Sequence, residues 1–356
     1  MSDPATTAGL LSRHIGALVA DRHAPAAVGA AIRGADQSVA VAGDRLWPRR
    51  ARRHRDRHPV DPDTLFALGS LTKTFTTLLL AELVARGEVA YDDPIERFLP
   101  PGAAPRPGPG APRTLVDLAT HSAGLPRLPG NLYLRGLRQW RTDPYAGYRP
   151  VDLYRATARL SRNPRRATVR YSTFGVGLLG QLLANAAGTG YAELLADRVL
   201  RPLGMRDTLV PDEPTLAEVA AHGHRRGRPV PHWGFDALAP AGALYSSAAD
   251  MLRYLRAQIS PATVAATALS SAVVDSHWPR RAHRSGPDGI GLGWDIRVVD
   301  GRTLLWHTGG TGGFTAFIGF SPDAEAGVAV LANTRPTHRH PVLRAGRRLF
   351  RALALP

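Results

Sequence analysis

Apolar residues at Leu10, Leu11, Ile15, Leu18 and Val19 repeat with a helical period, which predicts an amphipathic helix within Met1–Arg22. Two short apolar runs follow, over 26–34 and 38–46, split by Gly34-Ala35-Asp36. They predict a pair of strands joined by a turn. Asp63 to Gly69 leads into an apolar stretch from about Ser70 to Arg86, which Gly87 stops, the pattern of a helix. Residues 100–113 are crowded with Pro and Gly and read as a loop. From Leu115 to about Gln258 the period is mostly helical, for example at 150–161, 174–187 and 247–258. Strand patterns return after about residue 288, at 290–299, 303–307, 314–320 and 327–332. Short turns such as Asp300-Gly301 and Gly309 to Gly313 make this an antiparallel meander. An amphipathic helix over about 341–353 closes the chain.

Strands at both ends and helices between them predict an α+β, two-lobed architecture. The terminal segments pair into one antiparallel sheet flanked by the first and last helices, and a mostly helical lobe is inserted beside it. The expectation is a single domain over 1–356, with a sheet lobe of about 1–90 plus 288–356 and a helical lobe of about 91–287. A site then falls in the cleft between lobes, where pockets prefer to form.

The chain has 356 residues, 44% of them hydrophobic, enough for a large core. Net charge is +16. Part of the excess is local, in the run Arg49 to His58 between Pro48 and Pro59. That run holds no aromatic to stack a base, and no zinc-finger or helix-turn-helix pattern accompanies it, so it reads as a solvated loop and no nucleic acid is expected. There is no cysteine, which excludes disulfides and thiolate metal sites. The first segment has Asp3 early and lacks a basic start and a continuous apolar run, so it is not read as a signal peptide. No membrane span is expected, and the chain as given reads as cytoplasmic and monomeric.

The chemistry begins with a count. Of 45 Lys plus Arg, Lys73 alone is lysine. Arginine never deprotonates in proteins and cannot serve as a base. A lysine amine can, once burial and nearby positive charge bring its pKa toward ~7–8. Lys73 lies three residues after Ser70 at the predicted helix start, so both share one face. The helix N-terminus also favours an anionic oxygen there. A serine precedes a given lysine at this spacing by chance about one time in fifteen. The helix-start placement after Gly69 and the motifs downstream raise the pair above that background.

Other chemistries lack their patterns. No G-x-S-x-G elbow is present, which disfavours an α/β-hydrolase. There is no H-E-x-x-H, and His54/His58 and His222/His224 have no carboxylate cluster beside them, so no metal is expected. No phosphate-binding G-x-x-x-x-G-K-[ST] occurs. Gly175 to Gly180 matches G-x-G-x-x-G by letter but sits inside a helical stretch with no strand before it. No cofactor is implied.

With these residues in hand, the sequence resembles the class C β-lactamase and DD-carboxypeptidase-like serine hydrolases, among the penicillin-recognising enzymes. The matching stretches run in the family's order from about residue 15 to 350. They are Phe66 to Lys73, Gly87 to Pro94, Thr114 to Pro126, Arg170 to Gly180, Arg201 to Thr208, Pro240 to Asp250 and His307 to Phe314. The resemblance implies a β-lactamase/transpeptidase-like fold and an acyl-enzyme on Ser70, with Lys73 as base or proton relay. It implies that Tyr171 exchanges protons with the nucleophile or leaving group, as in the family's Tyr-x-Asn motif. His307-Thr308-Gly309 stands where Lys-Thr-Gly is usual, and with Thr173 it is implied to contact substrate. The implied oxyanion hole is the backbone N–H of Ser70 and of Gly310. His121 and Ser122 are read as loop structure.

Two positions depart from the family pattern. Thr173 replaces the usual asparagine and loses an amide's paired donor and acceptor. His307 replaces the usual lysine, and a histidine is mostly neutral at pH 7, so a permanent cation for a substrate carboxylate is lost. The leading expectation is therefore a serine hydrolase of an ester or amide, taking a small-molecule or peptide substrate. D-alanyl-D-alanine carboxypeptidase or β-lactamase proper is the alternative. A non-catalytic polyanion-binding module using Arg49–Arg57 is a second alternative of another class.

Overall fold

The structure is a computed structural model that describes residues 6–45, 58–108, 110–135, 142–161, 168–211, 216, 219–282 and 288–355. Most of the arginine run 49–58 lies outside the described residues, and with it the polyanion-binding reading.

Eight strands form one sheet. In chain order they are β1 (Ala26–Arg33), β2 (Asp36–Gly43), β3 (Arg281–Ala282), β4 (Gly289–Ile290), β5 (Asp295–Val299), β6 (Arg302–Gly310), β7 (Thr315–Ser321) and β8 (Ala326–Ala332). Their spatial order is β2-β1-β8-β7-β6-β5-β4-β3, with each neighbouring pair antiparallel. The first strand therefore pairs with the last, at Ala30↔Ala329 in register. The meander and the terminal pairing follow the sequence expectation. The expected strand 290–299 is instead broken into β4 and β5, because Gly293 holds φ +76° between them.

Six longer helices cover the sheet and build the inserted block. They are α1 (Thr7–Ala20), α2 (Thr72–Ala85), α3 (Thr173–Ala187), α4 (Ala248–Ile259), α5 (Thr267–Ser276) and α6 (Pro341–Ala354). The stripe Leu11, Ile15 and Leu18 of α1 is buried, and Thr6 caps the helix by accepting from Gly9 N–H at 3.1 Å. α1 packs on β1 and β2, and α6 packs on β7 and β8. A second and larger apolar core fills the other face, beneath α2, α3 and α4. The helix α4 packs on β1 and β8 although it precedes residue 288.

The central block is less purely helical than its period predicts. It contains the hairpin Gly223–Arg225 with Arg228–Val230, and Tyr245–Ser246, which pairs with Phe66–Ala67. These strands span two or three residues, too short to establish a period of their own.

Candidate active site

The site starts where α2 starts. The chain enters through a single 3-10 turn, Gly69–Leu71, and Thr72 continues as α-helix. Gly69 adopts φ +53°, and a Cβ there would lie 2.7 Å from Gly310 N and 2.8 Å from Gly310 O. A Cβ on Gly309 would lie 1.9 Å from the Leu68 carbonyl oxygen. Side chains are excluded on both sides, so the end of β6 touches the turn that carries Ser70 backbone to backbone. That contact brings Gly310 beside Ser70, the pair expected to form the oxyanion hole.

Lys73 is buried inside the first turn of α2. Its Nζ donates to Ser70 Oγ at 3.2 Å and to the Ala241 carbonyl at 2.7 Å. Burial pushes its pKa well below the ordinary lysine value; the neighbouring Tyr171 phenol opposes this and the Arg127 charge reinforces it. The ammonium lies 5.0 Å from the centroid of the Tyr171 ring, and the Arg127 guanidinium 5.2 Å from the same ring.

Ala241 ends a 3-10 segment, Asp236–Ala241, that lies against α3. Its close approach depends on the glycines of the letter-match 175–180. A Cβ on Gly177 would meet Leu238 Cδ2 at 2.4 Å, and one on Gly180 would meet Pro240 Cβ at 2.2 Å. These glycines therefore serve helix packing, which seats the Ala241 carbonyl on the Lys73 ammonium.

Tyr171 precedes α3, whose N-cap Ser172 accepts from Gly175 N–H at 2.9 Å. Thr173 begins the helix, and its N–H donates to the Arg127 carbonyl at 2.9 Å. On β6, His307 is buried and its Nδ1 has no hydrogen-bond partner among the described residues. Burial, helped by the Lys73 charge, pushes the His307 pKa down to about 3. The ring is neutral at pH 7. Thr308 and Gly309 continue the strand, with Thr308 opposite Phe317.

A pocket of about 250 Å³ opens at these residues, lined by Tyr171, His307, His121, Trp294, Asp295 and Gly293 together with Val169 and Ile290. Gly293 lets the β4–β5 bend lie on α2, since a Cβ there would meet Thr77 Oγ1 at 2.5 Å and Thr74 Cα at 3.0 Å. Lys73 lies in the first turn of that helix and Ser70 in the turn that leads into it.

His121 belongs to this site, beyond the loop role expected of it. Its ring centroid lies 4.7 Å from that of Tyr171, and its Nδ1 accepts from Ser172 N–H at 3.3 Å. Burial pushes its pKa to about 3, and the charges of Lys73 and His307 add to the effect. An acceptor Nδ1 places the ring proton on Nε2. Ser122 does behave as loop structure, donating to Asp117 Oδ1 at 3.1 Å and bonding Thr120. Arg127, Trp294 and Asp295 also escaped sequence reasoning. Only Arg127 carries a local hint, as it directly follows the Thr114–Pro126 stretch.

A hydroxyl, a buried amine inclined to be neutral, a phenol and a strand end that meets a turn at glycines thus come together on a β-lactamase/transpeptidase-like fold. The chain belongs to the beta-lactamase family, whose model, described as Beta-lactamase, matches residues 11–352. Its relatives include the D-alanyl-D-alanine-carboxypeptidase/endopeptidase AmpH of Escherichia coli (strain K12), 30% identical over 78% of this chain and 73% of that protein. A Beta-lactamase of the same organism is 28% identical over 78% of this chain and 77% of its own length. The Unguisins hydrolase ungD' of Aspergillus campestris is 27% identical over 77% of this chain and 53% of its own. The chain is accordingly a serine hydrolase acting on amide or ester bonds. Among the described residues no helix is long and apolar enough to cross a membrane.

Proposed function

We propose that the chain hydrolyses an ester or amide through an acyl-enzyme on Ser70. The observation that carries this reading is the buried Lys73 Nζ, 3.2 Å from Ser70 Oγ and pushed toward its neutral form. The neutral amine accepts the Ser70 proton as Oγ attacks the substrate carbonyl. The backbone N–H groups of Ser70 and Gly310 hold the oxyanion. Tyr171, beside Lys73, passes a proton to the leaving alcohol or amine. Water then attacks the acyl-Ser70 ester, gives up its proton through the same pair, and releases the acid with Ser70 restored.

His307 and Gly309 line the substrate along β6, with Thr308 contributing its backbone between them, and Thr173 lies at the start of α3 next to Tyr171. The neutral His307 offers no fixed charge to a substrate carboxylate. That favours substrates without a carboxylate over D-Ala-D-Ala peptides or β-lactams, which the names of two relatives attach to those proteins.

A fluorophosphonate probe is expected to label the protein covalently, and Ser70→Ala to abolish the label. Label persisting in that variant rejects the nucleophile assignment. A panel of nitrocefin, p-nitrophenyl butyrate and a D-Ala-D-Ala peptide ranks the substrate classes. The ester is expected to turn over fastest, and a preference for either of the other two overturns that part of the reading.

A further inference from the structure

A larger groove lies on the opposite face of the sheet. Along a strand, alternate side chains point to opposite faces. His307 therefore faces the catalytic pocket, while its neighbour Trp306 and Leu304 face the other way, with Phe317 beside them on β7. α1 covers β1 and β2 and α6 covers β7 and β8 on that face. Past the flank of α6, over β5 and β6, a groove of about 480 Å³ opens. That volume is typical of a small-molecule site.

The groove has two chemistries. Its floor is apolar, made by Val299, Leu304, Trp306, Phe317 and Phe350. Its rim is cationic, made by Arg344, Arg347, Arg348 and Arg351 of α6, with Arg297 opposite. The four helix arginines stand at i, i+3, i+4 and i+7, on one stripe. Among the described residues none of those four makes an ion pair, whereas Arg297 pairs with Asp288 at 2.9 Å. Like charges at this spacing oppose helix formation. Arg344 also sits in the first turn, where the helix dipole disfavours a cation. An anion held among these side chains relieves both penalties.

We propose that this groove binds an amphiphilic anion, a single acidic head on an aliphatic or aromatic body. The head pairs with the α6 guanidiniums, which suit carboxylate and sulfonate oxygens and keep their charge at any physiological pH. The body lies on Trp306, Leu304 and Phe350. The proposal is independent of the reading of Ser70, since the sheet separates the two sites.

Displacement of anilinonaphthalene sulfonate by dodecanoate, below its micelle concentration, tests the proposal. Dodecanoate is expected to displace the dye at least tenfold more effectively than dodecanol, and high salt is expected to narrow the gap. The double variant R347Q/R351Q is expected to weaken dodecanoate tenfold or more and leave fluorophosphonate labelling of Ser70 unchanged. Prior labelling of Ser70 is expected to leave dye binding intact. Equal displacement by dodecanol and dodecanoate, equal displacement by inorganic phosphate, or loss of dye on labelling Ser70 overturns the proposal. All three of these overturning measurements use the unaltered protein, so they decide even if the variant fails to fold.

Discussion

Lys73 and the buried histidines set the behaviour of the site at the scale of single residues. Lys73→Arg keeps a cation but replaces an amine that can shed a proton with a guanidinium that cannot. It is expected to lower kcat/KM by about a thousandfold or more, as loss of a nucleophile-activating group does. Activity within tenfold of the parent would refute the base assignment. His121 and His307 make a second prediction. Their folded pKa values of about 3 lie below the ordinary 6.5, so between those values the unfolded chain binds more protons. The stabilisation they give is complete above pH 6.5 and is lost as pH falls toward 3. Each contributes a slope of up to ~1.4 kcal/mol per pH unit in that window. Urea unfolding at pH 7.5, 6 and 5 should show stability dropping with acid, and His307→Asn should flatten the drop. An unchanged pH dependence in that variant contradicts the burial of a neutral ring.

At the scale of elements, the critical contact is β6 against the turn that begins α2. Gly309→Ala places a Cβ 1.9 Å from the Leu68 carbonyl, and neither backbone can yield without moving a strand or a helix. The expected cost is ~3 kcal/mol, the upper end for overpacking, with a loss of activity from displacing Gly310. Gly16→Ala is the control. It lies inside α1 with nothing within 4 Å of the added Cβ, so it is expected to gain ~0.5–1 kcal/mol. Thermal melts of the two variants should move in opposite directions. The same contrast explains what the element pattern could reveal. A glycine in a helical period looks alike whether its Cβ position is empty, as at Gly16, or filled by another segment, as at Gly177 and Gly180.

Across the whole molecule, Asn333 joins the two ends of the chain to the inserted block. Its Oδ1 accepts from Ala26 N–H at 2.7 Å, and its Nδ2 donates to the His222 carbonyl at 3.0 Å. It is fully buried, so Asn333→Ala leaves the buried Ala26 N–H without its acceptor and the part-buried His222 carbonyl without this donor. Each unsatisfied group costs about 1–3 kcal/mol, and the variant is expected to lose ~3 kcal/mol, read by denaturant unfolding. A loss under ~1 kcal/mol would show that the two ends need no such tie. Nothing local in the sequence marks Asn333, just as nothing marks His121 as a neighbour of Tyr171. Apolar periods did determine α1 and α6, and apolar runs bounded by turn residues determined α2 and the meander β6–β8, because each pattern reports the burial of a single element. The lone lysine three residues after Ser70 likewise made the proposed reactive pair legible, because a helical turn places i and i+3 together whatever surrounds them. Tertiary structure decided the rest. It brought Ala241, Tyr171, His307 and His121 to that pair from distant segments, and it made Lys73 and His307 neutral-leaning groups. Burial and backbone contact are properties of what packs against a residue, and a local sequence pattern does not contain them.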